Sequence, residues 1–76
     1  MGDEVWLGRT VFYRVSENDN DNMKYNHASI LPAIVVAVWN KHCVNLRVFT
    51  DSPGPLEWKT SIMHGGQPGQ WDFFNE

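Results

Sequence analysis

One cysteine, Cys43, is all the chain carries, and that excludes an intrachain disulfide framework. Positive charge is scarce too: six Lys and Arg stand against nine acids, for a net charge of −3. The cations (Arg9, Arg14, Lys24, Lys41, Arg47 and Lys59) are scattered, no two of them adjacent. General nucleic-acid binding draws most of its affinity from neutralised phosphates, so this balance disfavours it. Long apolar runs are missing as well. The longest, Ile30 to Trp39, has ten residues, against about 20 for a membrane-spanning helix. No membrane partner is expected. The opening Met1-Gly2-Asp3-Glu4-Val5-Trp6 is acidic, lacks a basic-then-apolar leader and predicts no signal peptide. A soluble protein that stays in the cytosol where it is made is the expectation.

What is present suits one small domain spanning residues 1–76. Hydrophobic residues make up 42% and aromatics 13%, a globular composition. A domain this short buries only about 60% of the surface that its unfolded chain exposes. Without disulfides it must rely on dense aromatic packing, led by Trp6, Trp39, Trp58 and Trp71, or on burial against other copies of itself.

The local pattern is that of strands. After a short Val5 to Leu7 segment and Gly8, Val11, Tyr13 and Val15 alternate with Phe12 and Arg14, a period of two over Thr10 to Val15. Ser16 to Ser29 is polar, rich in Asn and Asp, and reads as one long connection, the kind of loop in which binding often resides. Ile30 to Trp39 is β-branched and apolar on both faces, with Pro32 placed near the strand start or on an edge. Asn40-Lys41-His42 is a short hairpin turn into Val44 to Phe49, where Asn45, Arg47 and Phe49 form the wet face. Asp51-Ser52-Pro53-Gly54-Pro55 breaks the chain, and Trp58, Thr60 and Ile62 then alternate with Glu57, Lys59 and Ser61. A second break, His64 to Gly69, leads to a closing strand over Gln70 to Phe74.

No segment has a helical period. Five short strands with one long first connection predict an all-β fold, a small five-stranded SH3-like barrel. An OB barrel is the alternative, but it normally needs more residues and a helix between its third and fourth strands. In a barrel one face of each strand points outward, so either Ile34, Val36 and Val38 or Ala33, Val35 and Ala37 face solvent. An exposed apolar stripe of that kind marks an interface. Ile34, Val36 and Val38 are taken as the homo-oligomer interface.

Chemistry has little to work with. A calcium loop starting at Asp19 would need Gly at its sixth position and Glu at its twelfth, where Lys24 and Ile30 stand. His42 and Cys43 are adjacent, unlike paired zinc ligands, and point to opposite faces of a strand. Cys43 has no evident base, and a small buried thiol is the commoner role. Asp51, Glu57 and Asp72 lie in or beside turns, where solvation is the default. The glycines of His64 to Gly69 could offer amides to an anion, but a lone glycine cluster is weak evidence and a plain turn is the favoured reading. No enzyme, metal or cofactor is expected.

The order Pro32-Ala33-Ile34-Val35-Val36, Val38-Trp39, Cys43-Val44-Asn45-Leu46, Val48-Phe49-Thr50-Asp51, Trp58 to Ile62 and Pro68-Gly69-Gln70-Trp71, with Gly8 to Val11 and Tyr13 before it, resembles a family of small proteins encoded by tailed bacteriophages and prophages. The likeness covers nearly the whole chain apart from the Asn/Asp loop. It implies a viral origin and no activity. Leu31 departs from the basic residue or His that often precedes the Pro, and Trp71-Asp72-Phe73-Phe74 departs from a closing Trp-Pro pair. A looser likeness to MazF-type toxins covers one strand and implies shared architecture only.

The resulting expectation is a non-enzymatic, phage-encoded oligomeric binding protein acting in the host cytoplasm. Its partners are itself and a nucleotide signal or host protein of the defence response. Arg9, Arg14 and Arg47 are the candidate phosphate ligands, and Tyr25, His27, Trp58 and Trp71 the candidate rim side chains, beside the turn from His64 to Gly69. The alternative is a virion component such as a capsid decoration protein, and a second alternative is a MazF-like ribonuclease.

Overall fold

In the computed structural model, which describes residues 4–17, 19, 29–51 and 56–74, five strands form one antiparallel sheet. They are β1 (Thr10–Arg14), β2 (Ile30–Val38), β3 (Cys43–Val48), β4 (Glu57–Met63) and β5 (Trp71–Phe73), in the spatial order β4-β3-β2-β1-β5. Every boundary lies within one residue of the sequence expectation. Most of the long first connection, Tyr25 and His27 included, lies outside the described residues. Among those described, no helix is long and apolar enough to cross a membrane.

The core sits on one face of the sheet. Val11 and Tyr13 of β1, Leu31, Ala33 and Val35 of β2, Val44, Leu46 and Val48 of β3, and Trp71 of β5 are all buried. Period-two alternation alone allows either face of β2 to be inside, and the structure selects Ala33 and Val35. Ile34 is then half-buried, while Val36 and Val38 are 38% and 40% exposed. Pro32 lies inside β2 and pairs with Phe12, and its carbonyl accepts from the Phe49 amide just past the end of β3. Its missing N–H therefore points to where the β2–β3 ladder stops, and little is lost there.

Two register shifts interrupt the ladders. One falls between Val35 and Ala37 on β2; the other carries the β4 partner from Lys59 to Ile62 while β3 advances from Leu46 to Val44. The second corrects the expected alternation of Trp58 with Ile62. Trp58 pairs with exposed Arg47, whereas Ile62 pairs with buried Val44 and packs on the core. Ser61, at φ 57°, takes the left-handed conformation that absorbs the extra residue.

Asn45 is also corrected: expected on the wet face, it is 7% exposed. Its Oδ1 accepts from Trp39 Nε1 (2.9 Å), Thr60 Oγ1 (3.0 Å) and the Ser61 amide (2.8 Å). A buried carbonyl oxygen with three donors bridges the two bulges.

Asp19 straps the long connection onto the sheet. Its carboxylate accepts from the Tyr13 hydroxyl (2.6 Å), the Ser16 amide (3.0 Å) and hydroxyl (3.2 Å), and Lys59 Nζ. Burial raises the Tyr13 hydroxyl, and the Asp19 hydrogen bond and charge raise it further, to about 12. A folded-state pKa above the unfolded value contributes stability that is full below about pH 10 and lost as pH rises through the folded value. Alkaline unfolding is therefore expected between pH 10 and about 12. Across that range wild type should lose roughly 2–3 kcal/mol in urea titrations, and Tyr13→Phe should show a flatter alkaline limb.

The sheet's two edges meet at one end. A parallel bridge joins His64, just after β4, to Trp71 at the start of β5. Outside that bridge the sheet is open among the described residues.

Candidate functional site

A cleft of about 600 Å³ opens beside this junction, lined by Glu4, Val5, Lys41, His42, His64, Asp72 and Phe73. Three parts of the chain build it. The β2–β3 turn is closed by Asn40, whose Oδ1 accepts from the His42 amide (2.8 Å) and the Cys43 amide (3.0 Å). An Asn in this role is ordinary turn chemistry. The His42 carbonyl then accepts from the His64 amide (2.8 Å) and Trp71 Nε1 (3.1 Å). One backbone oxygen thus ties the hairpin turn, the end of β4 and the core tryptophan together.

Glu4 and Val5 are brought over β5 by Arg9. Its guanidinium carbon lies 4.6 Å from the Trp6 ring centroid and 4.2 Å from that of Phe73, and it donates to the Glu4 carbonyl. A cation held between two aromatic faces fixes the segment. Gly8, at φ +89°, makes the turn that lets this segment fold back, and its amide donates to the Val35 carbonyl (2.8 Å).

The polar side of the cleft centres on Asp72. His64 Nε2 lies 2.9 Å from one carboxylate oxygen, and an Arg14 terminal nitrogen 3.5 Å from the other. The Phe73 amide also donates to Asp72 (2.8 Å). Burial raises the Asp72 carboxyl, but hydrogen bonds from His64 and the Phe73 amide, with nearby His64 and Arg14, outweigh it and hold it below the usual range. Arg14 Nε is buried without a partner. The His64 ring lies 4.7 Å from Trp71 and 5.2 Å from Phe73, centroid to centroid. The His42 ring lies nearly parallel to it, 6.4 Å away at 16°. Lys41 is exposed and makes no ion pair among the described residues. Among the same residues, no group of three or more His, Cys, Asp or Glu is placed to hold a metal ion.

The expected site residues do not gather. Arg9 and Arg14 each reach a cleft wall, Phe73 and Asp72 respectively, but as structural partners. Arg47 and Trp58 pair on the outward face of β3 and β4. Trp71, expected at the rim, is a fully buried core side chain and presents no ring face to a ligand. Nothing in the sequence marks Lys41, His42 and Asp72 as ligand-binding residues. A signal for His42 and His64 was present: in a β3–β4 hairpin the residue before β3 comes beside the residue after β4. No family model, curated protein or solved structure matches this chain.

Proposed function

We propose that the protein is a non-enzymatic binding protein that works as a homo-oligomer, joined through the outward face of its sheet. The exposed apolar surface of that face carries the reading. Val36 is 38% exposed, Phe49 37% and Trp58 54%, and half-buried Ile34 lies next to Arg47 and Trp58 across the strands. A large apolar patch on so small a domain is the mark of an interface. A second copy offers the same self-complementary surface without a second gene product. The spatial order β4-β3-β2-β1-β5 and the His64–Trp71 bridge support a barrel of the SH3-like kind. With the phage-family resemblance, the reading extends to a viral protein that binds a host component in the host cytoplasm. A capsid decoration protein is the competing role for the same oligomer.

Sedimentation of the purified chain at micromolar concentration tests the reading. Wild type should run as an oligomer, and Val36→Lys should run as a folded monomer. A monomeric wild type overturns the proposal. Antibody detection of the chain in purified virions would transfer the oligomer to the decoration role.

A further inference from the structure

We infer that Arg47 and Trp58 join two copies of the chain reciprocally, the Arg47 guanidinium of each copy lying on the Trp58 ring of the other. The inference deepens the oligomer reading and rests on it, since it names the contact that fixes how two outward faces meet.

The chain's other two arginines are both engaged within their own chain. Arg9 lies between the Trp6 and Phe73 rings and donates to the Glu4 carbonyl. Arg14 lies 5.0 Å from the Phe12 ring centroid and 3.5 Å from an Asp72 oxygen. Each has an aromatic face and an acceptor. Arg47 has neither: it is exposed on β3, and among the described residues its guanidinium makes no ion pair, hydrogen bond or ring contact.

Trp58 is its aromatic counterpart. Trp71 is buried, the Trp6 ring carries Arg9, and Trp39 gives its indole N–H to Asn45. Trp58 is 54% exposed and has no side-chain hydrogen bond or ring contact among the described residues. The ladders set Arg47 directly between Ile34 and Trp58, so the three share the outward face. An unused cation and an unused ring stand side by side on the surface already proposed to pair.

The cation decides what covers that surface. A purely apolar partner would take the guanidinium out of water and give it nothing in return. A second copy brings a ring for it, because a two-fold axis supplies every contact from one residue to another with its mirror contact. With the axis running along the strands between β3 and β4, each Arg47 meets the partner's Trp58 rather than the other arginine. Arginine is weakly hydrated and stacks on aromatic faces, so it suits this position better than lysine. Tryptophan and arginine are also the side chains on which interface energy most often concentrates.

Sedimentation of the full chain, with a fluorescent tag on one partner in mixtures, tests the inference. Wild type should pair at micromolar concentration. Arg47→Met keeps the stem and removes the cation; Trp58→Leu keeps apolar bulk and removes the ring. Both alter exposed side chains and should keep the wild-type circular dichroism. Each variant loses both reciprocal contacts, so its self-association should weaken by about 100-fold, at about tenfold per contact. Mixed together, the two variants regain one complete contact, and the mixed pair should form about tenfold more tightly than either variant pairs with itself. Arg47→Lys keeps the cation and should associate more tightly than Arg47→Met, whereas a merely apolar contact gives the reverse order. A mixture no better associated than its parts, an unweakened Arg47→Met, or the reverse order for lysine overturns the inference and leaves the oligomer reading standing. A monomeric wild type overturns both.

Discussion

Replacing Asp19 with Ala should lower stability by about 2–4 kcal/mol, because it takes the carboxylate away from four donors, the Tyr13 hydroxyl, the Ser16 amide and hydroxyl, and Lys59 Nζ. The Asp19 side chain is 5% exposed and that of Lys59 19%, so neither belongs to an ordinary surface pair. The Tyr13 hydroxyl and the Ser16 amide lose the same acceptor. A domain of 76 residues has roughly 4–11 kcal/mol in all, and the loss is a large share of it. Thermal melts should shift down by roughly 10–25 °C. Asp19→Asn keeps an acceptor oxygen and loses the charge, and should cost clearly less than Asp19→Ala. A melting temperature for Asp19→Ala within a few degrees of wild type would show that the strap is ornamental.

The same group governs the acid limb. Burial raises the Asp19 carboxyl, yet hydrogen bonds from Lys59, Tyr13 and the Ser16 amide, with the Lys59 charge, leave it below its ordinary value. A depressed folded-state pKa gives stability that is present above the unfolded value, near 4, and lost as pH falls through the folded value. Asp72 adds a second, more exposed contribution of the same sign. Urea titrations from pH 6 downward should show wild type weakening below about pH 4 and Asp19→Asn weakening less steeply.

Asn45→Leu should cost about 2–3 kcal/mol, even though the two side chains have the same branched heavy-atom shape and leucine is the more apolar. The loss comes from the donors left behind. The Ser61 amide sits in the bulge with φ 57° and has the Asn45 oxygen as its acceptor at 2.8 Å. Trp39 is 62% exposed, so its indole N–H can turn to water; the Ser61 amide, inside the β4 bulge, has less freedom to do so. Hydrogen exchange should therefore quicken at Ser61 while the paired amides of β1 and β2 keep their protection. An unchanged urea midpoint would mean that water replaces the asparagine oxygen without cost.

Much of the architecture was legible along the chain. Val11, Tyr13, Val44, Leu46 and Val48 recur at period two, Asn40 marks the hairpin, and Asp51 to Pro55 and His64 to Gly69 mark the breaks. Each of these is a local preference: a branched side chain favours the pleat, and Gly, Pro, Asn or Asp favours a turn. That is why the strand boundaries could be read from neighbours alone.

The candidate site was not legible in the same way. His42, His64 and Asp72 stand up to 30 positions apart and meet because β3 and β4 form a hairpin while β5 returns to β1. The two bulges compound the difficulty. Each adds a residue to one strand only, so the alternation that places Trp58 outside no longer places Ile62 there, and Asn45 passes from a wet face to a buried bridge. Trp71 shows the same limit from the other side: its strand was expected, but its burial depended on the His42 carbonyl arriving to accept its indole N–H. Local residue preferences determined the strands, the turns and the two-sided apolar character of β2. Only the tertiary structure decided which face of each strand lies inside and which polar groups converge, because phase across a bulge and register between distant strands are set by mutual packing.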